Sequence, residues 1–283
     1  MPLSLSSLGR QSSLPDDDEF SSGLLETMRA DKGTIPLLPL HLSRFGRCAS
    51  VDPSLLSLVK TAAENVAGST EEWPFGARMR FRYGVWRGAI YWDVSAVPLE
   101  RVSPWDRGVN LIRCETLHQP EVSHSPFTSA GVVETRSSDT PAAVTGCKLL
   151  QRSLYDRAAK ELPGSLPGRA LAEGLLFDCH GHVVETLRCN LLLYRRGRWV
   201  TPDLSDCGVR GVMLEWLAGH AEIGEDRLRM EDLQQADELA VCNSVRGVVP
   251  VVGLLNSPSQ RLQPFAFGPA TRALQQSIAE KLW

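Results

Sequence analysis

The apolar positions of the chain switch between a two-residue period, typical of strands, and a three-to-four-residue period, typical of helices. Asp52 and Pro53 predict a helix start, because a carboxylate caps free N–H groups and proline suits the first turn; the apolar spacing continues to Gly68. Further helices are predicted over Lys148 to Leu162, Gly211 to Ala221, Glu231 to Asp237 and Pro269 to Leu282. Strands are predicted over Met79 to Tyr83, Ala89 to Trp92, Leu175 to Asp178, Val183 to Thr186, Leu191 to Tyr194 and Leu239 to Cys242. This alternation indicates an α/β or α+β fold.

The middle of the chain carries the weakest pattern and therefore the predicted domain junction. Between Pro98 and Thr145 the chain contains several prolines and a serine pair, which is loop composition. We place the junction near residue 120, with an N-terminal α/β domain over residues 1–120 and a C-terminal domain over residues 121–283. The strands between Leu175 and Tyr194 are expected to form a simple meander. Residues 1–14 are expected to be a loose start, with an organelle transit peptide as the open alternative.

Composition and charge exclude several classes of protein. The 283 residues can bury one large core or two modest ones, and the net charge of −3 gives no general attraction to nucleic acid or to an anionic membrane. The apolar runs are too short to span a bilayer. The 7 cysteines, without a Cys-x-x-Cys pair, favour reduced, buried thiols in a cytoplasmic protein over a disulfide framework or a zinc site. We therefore expect no nucleic-acid partner, no membrane insertion and no metal.

Four blocks of sequence carry the most specific signal. Residues 181–217 contain a Glu-Thr pair after a strand, an Asn four residues beyond Thr186, a Thr-Pro pair and a Gly-Val-x-Gly turn that enters a helix. Residues 236–251 read ADELAVCNSVRGVVPV, residues 146–152 read GCKLLQR, and GLLETMR at 23–29 precedes PLLPLHLSRF. Together these blocks resemble the class IV aminotransferase family of pyridoxal-phosphate enzymes, and the block at 23–29 resembles the aminodeoxychorismate lyases within it. The resemblance runs from Gly23 onward and implies the two-domain α/β fold of this family (fold type IV), with a C-terminal domain that anchors the cofactor.

The resemblance implies roles for Lys148 and Glu185 around pyridoxal 5'-phosphate. Lys148 would bond covalently to the cofactor aldehyde, and its apolar neighbours suit an amine that must be neutral to react. Taken alone, Lys148 would more often be a solvated surface lysine. Glu185 would keep the cofactor ring nitrogen protonated, because a nearby carboxylate favours the charged form. Without the resemblance, Glu185 is read as a solvated carboxylate at a strand end.

The cofactor phosphate is expected to meet several donors. A helix start offers free N–H groups and a favourable dipole to an anion. Arg44 resembles the arginine that pairs with phosphate in this family, and the alternative is an ordinary arginine on a helix surface. The other residues given this phosphate-side, cofactor-binding role are Gly211, Val212, Met213, Asn243 and Ser244.

Thr27 and Arg29 favour a lyase over a transaminase. Aminodeoxychorismate lyases resemble the Glu-Thr-Met-Arg block, whereas branched-chain and D-amino-acid transaminases differ there. By that analogy Thr27 assists proton delivery to departing pyruvate and Arg29 contacts a substrate carboxylate, with local packing as the alternative for both. The hypothesis is a cytoplasmic homodimer that converts a small molecule, 4-amino-4-deoxychorismate, to p-aminobenzoate for folate synthesis. The open alternatives are a transaminase of the same fold and a non-catalytic relative, since the family's usual Gly-Asp-Gly turn is replaced by Ser-Ser-Gly ending at Gly23.

Overall fold

The computed structural model describes residues 3–9, 14–49, 51–118, 146–164, 170–257 and 261–283. Two units divide the chain. The first draws on Met1–Arg101 and Glu121–Gln151, and the second on Val102–Pro120 and Arg152–Trp283. The sequence predicts a single junction near residue 120, which lies outside the described residues, and this boundary stays a prediction.

The first unit is built on an antiparallel sheet, which has four strands among the described residues. They are β1 (Leu3–Ser6), β2 (Phe20–Ala30), β3 (Ala77–Trp86) and β4 (Ala89–Pro98), in the order β1-β4-β3-β2. Two helices, α1 (Leu38–Ala49) and α2 (Pro53–Gly68), pack apolar residues on this sheet. Phe45 of α1 meets Phe81 and Tyr83 of β3 edge to face, with ring centroids 4.8 and 5.2 Å apart.

The predicted helix and the two predicted strands of this unit are confirmed. Helix α2 begins after Asp52, whose side chain accepts a hydrogen bond from the Ser54 N–H at 2.7 Å. Strands β3 and β4 meet at the turn Arg87-Gly88, where both residues have positive φ (50° and 77°), as a two-residue hairpin requires. Strand β1 corrects the expected loose start over residues 3–6, because its backbone pairs with β4. Residues 1, 2 and 10–13 of that start lie outside the described residues.

One expectation about the first unit is wrong. Cys48 of α1 and Cys147 form a disulfide, although reduced thiols are predicted for all 7 cysteines. The fold brings together two residues that are 99 positions apart in the sequence, so no local spacing could reveal the pair.

The second unit contains a larger mixed sheet. Its described strands are β5 (Val109–His118), β6 (Leu171–Asp178), β7 (Val183–Thr186), β8 (Asn190–Arg195), β9 (Arg198–Pro202), β10 (Ile223–Asp226), β11 (Glu238–Asn243), β12 (Gly247–Leu255) and β13 (Gln263–Pro264). Their order is β10-β9-β8-β11-β12-β5-β6-β7, and β13 pairs with β12. Strand β5 runs parallel to both of its neighbours, β12 and β6. The described helices are α3 (Ser153–Ala159), α4 (Val212–Ala218), α5 (Met230–Gln234) and α6 (Pro269–Lys281).

Most predicted elements of the second unit are confirmed, and two predictions are wrong. The expected meander fails because β7 pairs with β6, whereas β8 pairs with β9 and β11. The helix predicted from Lys148 begins only at Ser153. Residues 148–150 are extended, since backbone hydrogen bonds to β2 replace those of a helix. The sequence does not predict β5, β9, β10, β12 or β13, and β5 lies in a stretch whose composition predicts a loop.

A buried carboxylate anchors α6 in this unit. Glu238 accepts hydrogen bonds from the N–H groups of Ala270 and Thr271, at 2.9 and 2.8 Å, and thereby satisfies the helix start. Gly268 leaves room for this carboxylate, because a Cβ there would lie 2.1 Å from the Glu238 Oε1 atom. The predicted C-terminal helix is thus confirmed, with a cap that comes from a distant strand.

Candidate active site

Lys148 lies in the first unit on an extended segment beside β2. The Leu25 N–H donates to the Lys148 carbonyl oxygen at 2.9 Å, and the Leu150 N–H donates to the Gly23 carbonyl oxygen at 2.8 Å. The half-buried Lys148 side chain donates a hydrogen bond from Nζ to the Thr27 Oγ1 atom at 2.9 Å. The structure therefore brings together the two residues for which the sequence predicts a catalytic role.

Arg29 follows Thr27 by two positions on β2, so both side chains leave the same face of the strand. Its guanidinium Nη2 donates to the Asp31 Oδ1 atom at 3.1 Å, and its side chain is 21% exposed. The neighbouring carboxylate balances part of the positive charge. The role of Arg29 as a substrate contact stays a prediction.

Glu26, on the opposite face of β2, forms a buried cluster with two residues of α1. His41 and Arg44 are three positions apart on one helix face. The His41 Nδ1 atom lies 2.6 Å from Glu26 Oε2, and Arg44 donates from Nε to Oε1 at 2.8 Å and from Nη2 to Oε2. All three residues are under 5% exposed. The cluster fixes α1 to the strand that carries Thr27.

The charges of this cluster balance internally. Burial alone would raise the pKa of Glu26, but Arg44 and His41 together lower it to about 2. Burial lowers the pKa of His41, Glu26 opposes this, and the positive charges of Arg44 and Lys148 lower it further. His41 is therefore neutral near pH 7 and donates its Nδ1–H to Glu26. Since Glu26 offsets the charge of Arg44, the phosphate-binding role of Arg44 stays a prediction.

Glu185, in the second unit, is a buried carboxylate close to a hydroxyl, a backbone N–H and a histidine ring. It is 3% exposed and accepts hydrogen bonds from the Tyr155 hydroxyl at 2.6 Å and the Val209 N–H at 3.2 Å. The His118 Nε2 atom lies 3.2 Å from its Oε1 atom. Among the described residues, no Lys or Arg side chain bonds to this carboxylate. A buried carboxylate of this kind is suited to a cationic ligand group.

Asn190 connects Glu185 to the start of α4. Its amide Nδ2 donates to the Val209 carbonyl oxygen at 2.8 Å, while the Val209 N–H points to Glu185. A Cβ at Gly211 would lie 1.9 Å from Asn190 Oδ1, so a larger residue there would displace the Asn190 amide. The side chains of Val212 and Met213 are buried, and their contribution to a phosphate site would come from the backbone. That contribution stays a prediction.

Asn243 and Ser244 form the turn between β11 and β12. The Asn243 Oδ1 atom accepts hydrogen bonds from the N–H groups of Val245 and Arg246 at 3.0 and 2.8 Å. Its Nδ2 atom donates to the Cys189 Sγ atom at 3.1 Å. The amide of Asn243 thus shapes a turn that the sequence does not predict. The cofactor-binding role of Asn243 stays a prediction.

The predicted residues fall into two sets. Thr27, Lys148 and Arg44 belong to the first unit, whereas Glu185 and Val212 belong to the second.

Several residues with prominent contacts escaped prediction. Glu26 offers a weak signal, an acid directly after Leu24 and Leu25, and His41 offers another, its three-residue spacing from Arg44. Tyr155 and His118 give no local signal, because their contact with Glu185 requires distant segments to pair.

Two kinds of feature are absent from the part of the chain that the structure describes. Its helices are all too short or too polar to cross a lipid bilayer. Over the same residues, no three His, Cys, Asp or Glu side chains gather in a way that could hold a metal ion.

Comparison with known proteins assigns the family. A model described as amino-transferase class IV matches residues 23–254. The chain belongs to this family. It is 33% identical over 153 residues to the aminodeoxychorismate lyase of Vibrio harveyi, a match that covers 52% of this chain and 54% of that protein. The match thus spans about half the length of that relative.

Solved structures share the fold. The 4-amino-4-deoxychorismate lyase of Pseudomonas aeruginosa is 25% identical, covers 99% of both chains and superposes with a TM-score of 0.76. The branched-chain amino acid aminotransferase of Escherichia coli is 16% identical, covers 92% of this chain and 85% of its own, and has a TM-score of 0.68. A further branched-chain amino acid aminotransferase of this fold, 19% identical and with a TM-score of 0.68, was solved with pyridoxamine 5'-phosphate. The α/β class IV fold expected from the sequence is therefore confirmed.

Proposed function

We propose that this chain is a pyridoxal 5'-phosphate-dependent aminodeoxychorismate lyase, which releases pyruvate from 4-amino-4-deoxychorismate and leaves p-aminobenzoate for folate synthesis. The observation that carries the proposal is the 2.9 Å hydrogen bond from Lys148 Nζ to Thr27 Oγ1, which joins an amine to a hydroxyl. The similarity to aminodeoxychorismate lyases over part or all of the chain supports the same reaction.

The residues present fit the proposed cofactor. Lys148 offers a half-buried amine for the aldehyde, and Glu185 offers a buried carboxylate without a Lys or Arg partner among the described residues for the ring nitrogen. When bound, the cofactor supplies an electron sink for the broken C–H bond. Arg44, Asn243, Ser244 and the backbone at Gly211 to Met213 are proposed to hold the phosphate.

Two protein groups would move protons in this reaction. The Lys148 Nζ atom takes the proton from the carbon that bears the amino group. The Thr27 Oγ1 atom, within hydrogen-bond distance of this amine, passes a proton toward the departing pyruvate. Arg29 is proposed to orient a substrate carboxylate. Tyr155 and the Val209 N–H keep the Glu185 carboxylate in a fixed orientation.

Pyruvate release without an acceptor distinguishes a lyase from a transaminase. We expect the purified protein with pyridoxal 5'-phosphate to form pyruvate and p-aminobenzoate in equal amounts from 4-amino-4-deoxychorismate alone. Strict dependence on a keto acid would instead indicate the transaminase, and failure to bind the cofactor would indicate a non-catalytic relative.

Substitutions at the two catalytic positions test the assigned roles. Lys148→Ala should lower kcat by roughly 10⁴-fold, whereas the exposed control Lys160→Ala should not change it. Thr27→Val should lower kcat by roughly 10²-fold, and Thr27→Ser, which keeps the hydroxyl, should retain most activity. Equal activity of the Val and Ser variants would remove Thr27 from the mechanism.

The assembly and location are also proposals. We propose a homodimer, to be checked by light scattering on the purified chain. A cytoplasmic location is proposed from composition, but the Cys48–Cys147 disulfide is of a kind that is rare in a reducing cytosol. The oxidation state of this pair in cells therefore bears directly on where the protein works.

A further inference from the structure

The Cys48–Cys147 disulfide lies directly beside the proposed reactive amine. Cys147 precedes Lys148, and both cysteines are under 7% exposed in the core that packs α1 and α2 on the first sheet. The other five cysteines, at positions 114, 179, 189, 207 and 242, are free thiols. The crosslink therefore joins one specific segment of the first unit to α1.

The segment that carries Lys148 is held on two sides. On one side its backbone bonds to β2, through the Lys148 carbonyl oxygen and the Leu150 N–H. On the other side the Cys147 sulfur bonds to Cys48 of α1. The backbone bonds fix the segment beside the strand, and the disulfide ties its beginning to the helix.

Helix α1 is itself tied to β2 through the buried Glu26 cluster. His41 and Arg44 bond to Glu26, and the next residue along β2 is Thr27. The helix, the strand and the Lys148 segment are thus connected in a closed ring of three links. The hydrogen bond between Lys148 and Thr27 lies within this ring.

We propose that the Cys48–Cys147 disulfide is a positioning link for the Lys148 amine, and that a dithiol reductant releases it. The inference rests on the proposed function, in which Lys148 is the reactive amine. On reduction the S–S bond breaks, the dithiol gives two electrons and two protons, two cysteine thiols form, and the dithiol leaves as its own disulfide. The backbone bonds to β2 remain, so the segment loosens while the unit stays folded.

Counting thiols establishes the state of the pair. The protein, unfolded without reductant and alkylated with iodoacetamide, should take up five labels, and after dithiothreitol it should take up seven. Peptide mapping should find Cys48 joined to Cys147. Seven labels in the unreduced protein would overturn the proposal at this step.

Hydrogen exchange measures the positioning without any cofactor. Reduction of the native protein should speed amide exchange in residues 146–151 and in α1, while exchange in α6 stays the same. The variant Cys48→Ala should behave like reduced wild type and should not respond to dithiothreitol. The exposed Cys179→Ala variant keeps the disulfide and should respond as wild type does.

Kinetics and the cofactor spectrum connect the link to Lys148. Reduction should lower kcat by roughly 10- to 100-fold, as expected when a reactive group is misplaced, with KM changed by less than about threefold. Reduction should also shift the midpoint pH of the absorbance titration of the lysine-bound cofactor. Unchanged exchange, kcat and midpoint after reduction would overturn the positioning role. Faster exchange in a protein whose cofactor bonds to a different lysine would instead overturn the proposed function.

Discussion

The surroundings of Lys148 in the first unit and of Glu185 in the second differ in how they handle buried charge. Beside the strand that carries Thr27, the carboxylate of Glu26 is fully paired with Arg44 and His41. Glu185 is buried to a similar extent, but its hydrogen-bond donors are a hydroxyl and a backbone N–H, with the His118 Nε2 atom 3.2 Å from its Oε1 atom. One carboxylate is paired with a guanidinium, and the other has no Lys or Arg partner among the described residues.

Because of this difference, we expect Glu26 to contribute mainly to stability and Glu185 mainly to function. A buried ion pair is expensive to break, because the remaining charge has no compensation. Glu26 should therefore matter chiefly to the folded state of the first unit. Glu185 has no Lys or Arg partner among the described residues, so it should matter chiefly once a cationic ring nitrogen is bound.

Glu26→Gln tests the first half of the comparison and should have the largest effect. The amide keeps the shape of the side chain but leaves the guanidinium of Arg44 buried without its counter-charge. We expect the free energy of unfolding to fall by about 3–5 kcal/mol in urea titrations. Glu72→Gln, at an exposed position, is the control and should change it by less than about 0.5 kcal/mol. A loss below about 1 kcal/mol for Glu26→Gln would mean that the pair contributes little.

Glu185→Gln tests the second half. Gln can still accept from Tyr155 but cannot keep a ring nitrogen protonated, so kcat for pyruvate release should fall by roughly 10²-fold, about 2.7 kcal/mol. The free energy of unfolding without cofactor should change less than it does in Glu26→Gln. Glu222→Gln, at an exposed position, should leave kcat unchanged. Full kcat in Glu185→Gln would contradict this comparison. A larger loss of unfolding free energy in Glu185→Gln than in Glu26→Gln would contradict it too.

Gly211→Ala tests the link between Asn190 and the start of α4. The new methyl group would overlap the Asn190 Oδ1 atom, at 1.9 Å, so a local shift is unavoidable. Overpacking of this kind should lower the free energy of unfolding by about 2 kcal/mol. Gly224→Ala is the matched control, because its Cβ would lie 3.9 Å from the nearest atom. Equal stabilities of the two variants would show that the α4 start adapts freely.

The pH dependence of the Glu26 pair should give the smallest effect. The pKa of Glu26 is lowered in the folded state from 4.5 to about 2. The stabilising contribution of the Glu26 carboxylate is therefore complete above about pH 4.5 and is lost as the pH falls toward 2. At about pH 4 the difference in unfolding free energy between wild type and Glu26→Gln should be about 0.8 kcal/mol smaller than at about pH 7. A difference that grows on acidification would have the wrong sign for a lowered pKa.

Local signals predicted much of the fold, and long-range pairing accounts for what they missed. Helix α2 follows from the cap at Asp52, and the strands β3 and β4 follow from the pattern of their apolar residues. Residues 148–150 carry a helical pattern but pair with β2, because strand partners are set by tertiary contacts. The partners of β8 were missed for the same reason.

Sequence reasoning about the candidate site extends furthest where its residues belong to one continuous block. Glu185, Asn190 and Gly211 all lie within residues 181–217, which resemble the family most closely. The links around Lys148 were not predictable, since Glu26, Arg44 and Cys48 come from separate segments. A sequence shows which residues could ionise or bond, but only the fold decides which charges end up paired.

The identity of the lysine that bonds to the cofactor tests the central claim most directly. The protein is incubated with pyridoxal 5'-phosphate, treated with borohydride to make the linkage permanent, digested and mapped by mass spectrometry. The phosphopyridoxyl mass should appear on the peptide that contains Lys148 and should be absent in Lys148→Ala. The same mass on another lysine, or none on any peptide, would contradict the account.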